Sequence, residues 1–371
     1  MPAQDSAGTA QDGRPLALGR RTRGAVVIRN AAPLSPASTP PSALERAAAR
    51  FINDPRDAPF VLLSAAATLI VIPFAAVLYV PGVFRWWLAV AYLAVNFLGF
   101  LDRYILMLHN TSHRVLYKPQ WRWLNHYIPW VLGPFFGETP ETYFAHHVGM
   151  HHPENNLEAD LSTTMPFQRD SVIDFLSYYG RFMALGLFDL SRYLDRKKRT
   201  KLRLRMMLGE VSFVVLAVAL AWLNWRATLV VFVLPVFAVR FLMMAGNWGQ
   251  HAFVDASAPE SAYKNSITCL ADRYNRRCFN DGYHIGHHIK ATRHWTEMPG
   301  DFESNRELYA REGAIVFKGI DFFIVWALLM VRSYRQLARH YVSLDGQPRS
   351  EEEIAALLRA RTAPITRTIV A

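Results

Sequence analysis

Residues 59–80 read PFVLLSAAATLIVIPFAAVLYV, with no charged side chain among them. As a helix, such a segment reaches roughly 30 Å, the thickness of a bilayer's hydrocarbon core. Pro81-Gly82 then marks a tight turn. A second apolar run, 86–101, continues through Asp102 and Arg103 to Leu108, and the charged pair marks where that helix leaves the lipid. Residues 208–225 and 227–245 form a second pair of apolar runs joined at Arg226. Each holds one charged residue, Glu210 and Arg240, near its expected end. The pattern predicts an all-α integral membrane protein with four transmembrane helices in two hairpins. A further run, 314–331, contains Lys318 and Asp321 and is expected to be an interfacial or packed helix rather than a fifth span.

Composition agrees with this class. The 371 residues are 51% hydrophobic and 19% charged, with a formal net charge of +11. No zinc-finger spacing or RNA-binding signature accompanies that charge, so nucleic acid is not an expected partner. The basic residues concentrate instead in 196–205, RKKRTKLRLR, while the hairpin turns carry only Arg85 and Arg226. The positive-inside rule then puts the long loop, both ends of the chain and everything after the fourth span on the cytoplasmic side. Membrane lipid is the expected surrounding, with the basic segment beside anionic headgroups. Cys269 and Cys278 are the only cysteines, which excludes a disulfide framework and a cysteine-held iron–sulfur cluster. Residues 1–45, rich in Ala, Pro, Ser and Gly, are expected to be a disordered tail. Arg20-Arg21-Thr22-Arg23 is not followed by the apolar stretch of a signal peptide. The membrane domain is expected over 46–340 and a C-terminal tail over 341–371. The tail holds one short helix that starts at Ser350 with Glu353 closing a capping box.

Most of the thirteen histidines are clustered. His109 and His113 follow the second span. His146, His147, His151 and His152 stand in HHVGMHH, His284, His287 and His288 in HIGHH, and His251 closes NWGQH after the fourth span. His109/His113, His147/His151 and Asn247/His251 are each four apart, and His284, His287 and His288 follow the i, i+3, i+4 rule, so each set shares a helix face. Two spans separate the second cluster from His251, which returns all of them to one side of the membrane. So many imidazoles exceed the ligand set of one ion and point to two metals of the kind imidazole suits: iron, zinc, copper or nickel. Carboxylates would then accept the free ring N–H of each histidine, and Asp102, Glu154, Glu158, Asp160, Asp255 and Asp281 are placed for that role. His126, His294 and His340 stand apart and are expected to be ordinary surface or core residues.

The three boxes, H109NTSH113, H147VGMHH152 and H284IGHH288, resemble the HX3–4H, HX2–3HH and HX2–3HH boxes of the membrane fatty-acid desaturase and hydroxylase superfamily. The resemblance covers roughly residues 59–300. It implies a cap of cytosolic helices over the four spans, holding a non-haem di-iron site that uses O2. By similarity the ligands are His109, His113, His147, His151, His152, His251, His284, His287 and His288. Asn247 looks like the family's asparagine that holds a metal through water. The second box and the Asn247-to-His251 stretch also resemble membrane alkane hydroxylases, and His146 offers an alternative register. The implied reaction is desaturation of a lipid acyl chain carried as a CoA, carrier-protein, phospholipid or free-acid form. Hydroxylation, or decarboxylation to a terminal alkene, would use the same boxes. The His-Pro-x-Gly motif of a fused cytochrome b5 is absent, so electrons are expected from a separate ferredoxin or cytochrome b5-like carrier. A divalent-metal transporter is the reading from another class. Transport sites lie at the bilayer midplane, whereas these histidines lie outside the spans.

Overall fold

A computed structural model describes residues 40–365 of the chain. The tail expected over 1–45 therefore lies outside the described residues as far as residue 39, and its last residues enter a short helix, Ala43–Ala48, capped by Ser42. The described chain is mostly helical and holds three helical stretches long and apolar enough to cross a membrane: α1 (Pro55–Tyr79), α2 (Trp86–His113) and, beyond a further helix α3 (Val172–Arg196), α4 (Thr200–Gln250). Gly82, at φ +78°, turns the chain between α1 and α2. The two helices run back along each other, with Phe74 edge-on to Tyr92 at 5.7 Å near the turn and Ser64 touching Met107 at 3.4 Å near the far end.

The third stretch is not one rod. Asn224 leaves helical geometry at φ −159°, ψ 96°, and the two arms of α4 fold back on each other. Phe213 meets Phe232 at 6.3 Å, and Glu210 lies 3.7 Å from Arg240. Both arms are longer than the sequence pattern predicts. Glu210 and Arg240 consequently sit inside the helices as a facing pair, not at their ends. The two hairpin turns adjoin, since the Asn224 amide donates to the Leu78 carbonyl at 3.2 Å. Trp86, Trp87, Trp222 and Trp225 are all exposed at that end, and Leu69, Leu98 and Val215 are exposed along the shafts. Indole rings at the hairpin tips above apolar shafts fit a bilayer interface and its core.

The basic loop expected before the third span is largely helix. Ser171 caps α3 through the Asp174 N–H, α3 runs to Arg196, and α4 begins at Thr200. α3 is amphipathic, burying Phe175, Tyr178, Leu190 and Leu194 and exposing Ile173, Leu176 and Phe188. Exposed apolar residues on such a helix suit a position along a lipid surface.

The segment after α2 re-enters the bundle, a feature the pattern of apolar runs does not announce. Tyr104 donates to the Ile128 carbonyl at 2.9 Å and stacks on Phe136 at 4.1 Å, while Asn96 donates to the Phe135 carbonyl at 2.8 Å. Irregular backbone at this depth is tolerable because neighbouring helices supply its hydrogen bonds. Gly137, at φ +72°, presses on the Pro235 carbonyl so closely that a Cβ there would overlap it. Gly137→Ala combines that overlap with a left-handed backbone. It is expected to cost on the order of 2–4 kcal/mol, read as a lowered melting temperature of the detergent-solubilised protein.

After α4 the chain forms a layer across the histidine end of the bundle. Here the all-α expectation needs correction, because β1 (Ile267–Leu270) and β2 (Ile315–Lys318) pair in parallel. The apolar run 314–331 is accordingly no single helix. It begins as β2, turns at Gly319 (φ +79°) and ends as a nine-residue helix, Phe322–Met330, too short to span. That helix packs on the end of α4, where Gly249 leaves room for the Phe322 carbonyl. The C-terminal helix, Glu351–Ala360, has the capping box expected from Ser350 and Glu353. Buried Arg169 ties the segment after it to the bundle, donating to the Arg361 and Ala363 carbonyls at 2.9 and 2.7 Å.

Candidate metal centre

Four pieces of chain bring their histidines to one place: the end of α2, a helical segment over 142–154, the end of α4, and a short helix at His284–Ile289. The imidazoles sort into two groups. One contains His109, His113, His147, His152 and His287. The other contains His151, His251 and His288, and His284 joins it, its Nε2 standing 3.0 Å from His288 Nε2 and 3.4 Å from His251 Nε2.

The second box departs from the sequence expectation in its register. Four-residue spacing predicts that His147 and His151 share a face. The backbone instead adopts a π-turn over His147–His151, which inserts one residue into the helical repeat. His152 then stands edge-on to His147, their Nε2 atoms 3.1 Å apart, and His151 turns to the other group. π-turns of this kind recur at functional sites because they re-aim side chains without ending the helix. The third box divides too: His284 and His288 face the second group and His287 the first.

The donor chemistry fits two cations. His287 Nε2 lies 2.8 Å from His109 Nε2 and 2.9 Å from His152 Nε2. Two nitrogens bound at about 2.1 Å to one ion stand roughly 3.0–3.4 Å apart at ordinary bond angles, close to these separations. Two outer nitrogens already have an acceptor: His151 Nδ1 lies 2.7 Å from Asp160 and His251 Nδ1 3.0 Å from the Asn265 carbonyl. Asp281 stands 3.4 Å from His109 Nδ1 as a charge neighbour. A proton held on Nδ1 leaves Nε2 as a bare lone pair. Lone pairs converging without a cation would repel, and the buried His113 Nε2 has no hydrogen-bond partner at all. Burial, reinforced by neighbouring imidazoles, keeps His147, His284, His287 and His288 neutral far below the usual histidine range, and holds His251 at about 4. Neutral imidazole is the form that ligates.

Residues 85–319 match the family model described as fatty acid desaturase. This chain belongs to the fatty acid desaturase family. The match holds every clustered histidine, and it begins at the start of α2 and ends just past β2. Neither the curated proteins nor the solved structures return a match.

In this desaturase-family chain, only two of the six expected carboxylates touch a clustered histidine. Asp160 is buried and accepts from His151, from Ser162 Oγ and from the Asn156 and Ser162 main-chain N–H groups. Asp281 faces His109 and accepts from Tyr274. Asp102 is paired with Arg277, Glu154 with Lys197 and Tyr193, Asp255 with Arg361, and Glu158 is exposed. The reading missed Asn265, whose carbonyl and side chain both face His251, and Tyr143, whose ring stacks on His147 at 5.2 Å. Neither carries a motif that would single it out.

Asn247 lies one turn before His251, with Nδ2 donating to the Ser162 carbonyl and the Tyr178 hydroxyl. Its Oδ1 remains as an acceptor on a residue that lines a cavity. His146 belongs to neither group; it lies on the cavity with its ring edge-on to Phe182. His126 is exposed, His340 bonds the Lys318 carbonyl, and His294 is buried against Asp57 at 2.9 Å. Asp54 and Asp57 beside His294 are engaged by Arg56, Arg114 and Trp295, which makes this a clasp between the start of α1 and the covering layer.

The cavity measures about 450 Å³ and runs from the histidines down between the helices. His109, His147, His151 and His284 border one end, and Leu101, Ile105, Leu187, Val239 and Met243 are among its apolar walls.

Proposed function

We propose that this protein is a membrane-bound, O2-dependent di-iron oxidoreductase that introduces a double bond into a lipid acyl chain. The observation that carries this reading is the adjacency of two groups of buried, neutral imidazoles to an apolar cavity between helices. His109, His113, His147, His152 and His287 would hold one iron. His151, His251, His284 and His288 would hold the other, and Asn247 Oδ1 would bind a water beside it. Bound iron and O2 supply the oxidising power to remove hydrogen from an unactivated methylene.

The chain's own residues do the rest. Asp160 and Asn265 fix the tautomers of His151 and His251, so their lone pairs are set before a metal arrives. The apolar walls align the acyl chain and exclude water, which confines oxidation to the carbon at the histidine end. Both arms of α4 and both helices of the first hairpin cross the bilayer, giving four crossings. The run Arg196–Arg205 supports a cytoplasmic position for the histidine end and its covering layer, where a separate ferredoxin or cytochrome b5-like carrier would deliver electrons.

The test is mass spectrometry of lipids from cells expressing the protein, with His147→Ala as the control. A double bond at one position, absent from the control, is expected. A new hydroxyl or a chain-shortened terminal alkene would move the protein to a neighbouring reaction of the same site. Unchanged lipids would overturn the oxidase reading.

A further inference from the structure

The cavity that receives the acyl chain is not apolar throughout. Besides the histidines it is bordered by Glu138, Thr142, Glu210 and Arg240. A plain hydrocarbon would leave such groups facing methylenes, at a cost in desolvation.

Most of this polar end is already satisfied from within. Glu210 accepts from the Thr139 and Thr142 hydroxyls at 2.5 and 2.7 Å and lies 3.7 Å from the Arg240 guanidinium. Arg240 also donates to Thr139 at 3.3 Å. These groups form a closed unit whose charges cancel, so they offer no net charge to an anionic headgroup.

Glu138 is different. The residue is 5% exposed and lines the cavity, and its Oε1 is enclosed by protein with no hydrogen-bond partner. Buried polar atoms of native proteins are nearly always paired, so a carboxyl left unpaired on a residue that borders a ligand cavity points to a partner that comes with the ligand. Burial pushes the Glu138 carboxyl up to about 8, with Glu210 adding to the shift and Arg240 opposing it, so the neutral acid prevails at pH 7. A neutral carboxyl can both donate and accept. Along α4, Arg240 lies seven residues before Asn247, which is roughly 10 Å on an α-helix. The polar end is therefore about that far from the metal-binding end.

We propose that the substrate is an acyl or related lipid chain bearing a neutral hydrogen-bonding oxygen, a hydroxyl or a carbonyl, which Glu138 receives roughly 10 Å from the oxidised carbon. This rests on the oxidase reading for the term "oxidised carbon", but the binding claim stands on the cavity alone. Glu138 acts as a specificity residue. It touches the substrate's polar group and not the reacting atoms.

The experiment is a thermal-shift comparison on the iron-loaded, detergent-solubilised protein, using unsubstituted stearic acid and a positional series of monohydroxystearic acids. At least one hydroxylated isomer is expected to bind about tenfold more tightly than stearic acid, a difference one well-made buried hydrogen bond can supply. The preference should persist in Glu138→Gln, which keeps a donor and an acceptor, and vanish in Glu138→Leu. Glu138→Leu should still bind stearic acid and retain its iron, which shows that it folds. Equal binding of all chains, binding of none, or a preference that survives in Glu138→Leu overturns the assignment. Turnover is measured separately on the same samples. Preferential binding without oxidation of any chain would sink the oxidase reading and leave this one standing.

Discussion

His287→Ala is expected to abolish product formation and to release about half of the bound iron, with the protein still folded. His287 occupies the middle of the first histidine group, its Nε2 within 3 Å of those of both His109 and His152. It is buried on the short helix His284–Ile289, so neither solvent nor a neighbouring side chain can take its place. The second group draws nothing from His287, which is why only part of the metal should leave. Activity should nonetheless be lost entirely, because the proposed chemistry needs both ions beside one methylene. The measurements are iron content by elemental analysis and product by mass spectrometry. His340→Ala serves as control, since His340 lies outside both groups and bonds only a main-chain carbonyl. Full activity in His287→Ala would sink the ligand assignment. Loss of all iron would instead show that the two sites load together.

How far the sequence could carry this picture varies with the kind of interaction. The apolar runs and the turns at Gly82 and near Arg226 were legible because membrane crossing depends on length and composition alone. The convergence of the boxes was legible for the same reason, since an even number of helices returns the chain to the side it left. The capping box at Ser350 was local and therefore readable. What escaped depends on packing. The π-turn at His147–His151 has no composition signal, and it exchanges the partners of His151 and His152 between the two groups. The re-entrant segment near Phe136 was not read from the sequence, although Gly133, Pro134 and Gly137 beside a run of large apolar residues was a usable hint. The pairing of Glu210 with Arg240 could not be read until the lengths of the α4 arms were known. Asp160 was one of six carboxylates of equal standing, and only the fold distinguished it.

Asp160→Asn is expected to weaken metal binding at the second group by about 10–100-fold and to lower stability by about 1–3 kcal/mol. Every donor around this carboxylate needs an acceptor. Oδ1 takes the Ser162 N–H and hydroxyl, while Oδ2 takes the Asn156 N–H and His151 Nδ1. An amide has one NH2 in place of one oxygen. In either orientation it sets a donor against a main-chain N–H, and that N–H is buried and loses its partner. If the NH2 faces His151, Nδ1 becomes the acceptor and the proton moves to Nε2, where no metal can bind. If it faces Ser162, the loop that carries Asp160 must shift, and His151 shifts with it. Both routes damage His151 while leaving His147, His152 and His287 in place. The loss should therefore fall on one of two metal-binding steps in an iron titration, with the other step unchanged. Glu154→Gln is the matched control, because Glu154 pairs with Lys197 and Tyr193 and touches no clustered histidine. A titration in which both steps weaken equally, or in which Glu154→Gln behaves like Asp160→Asn, would mean that Asp160 supports the fold and does not set the tautomer of His151.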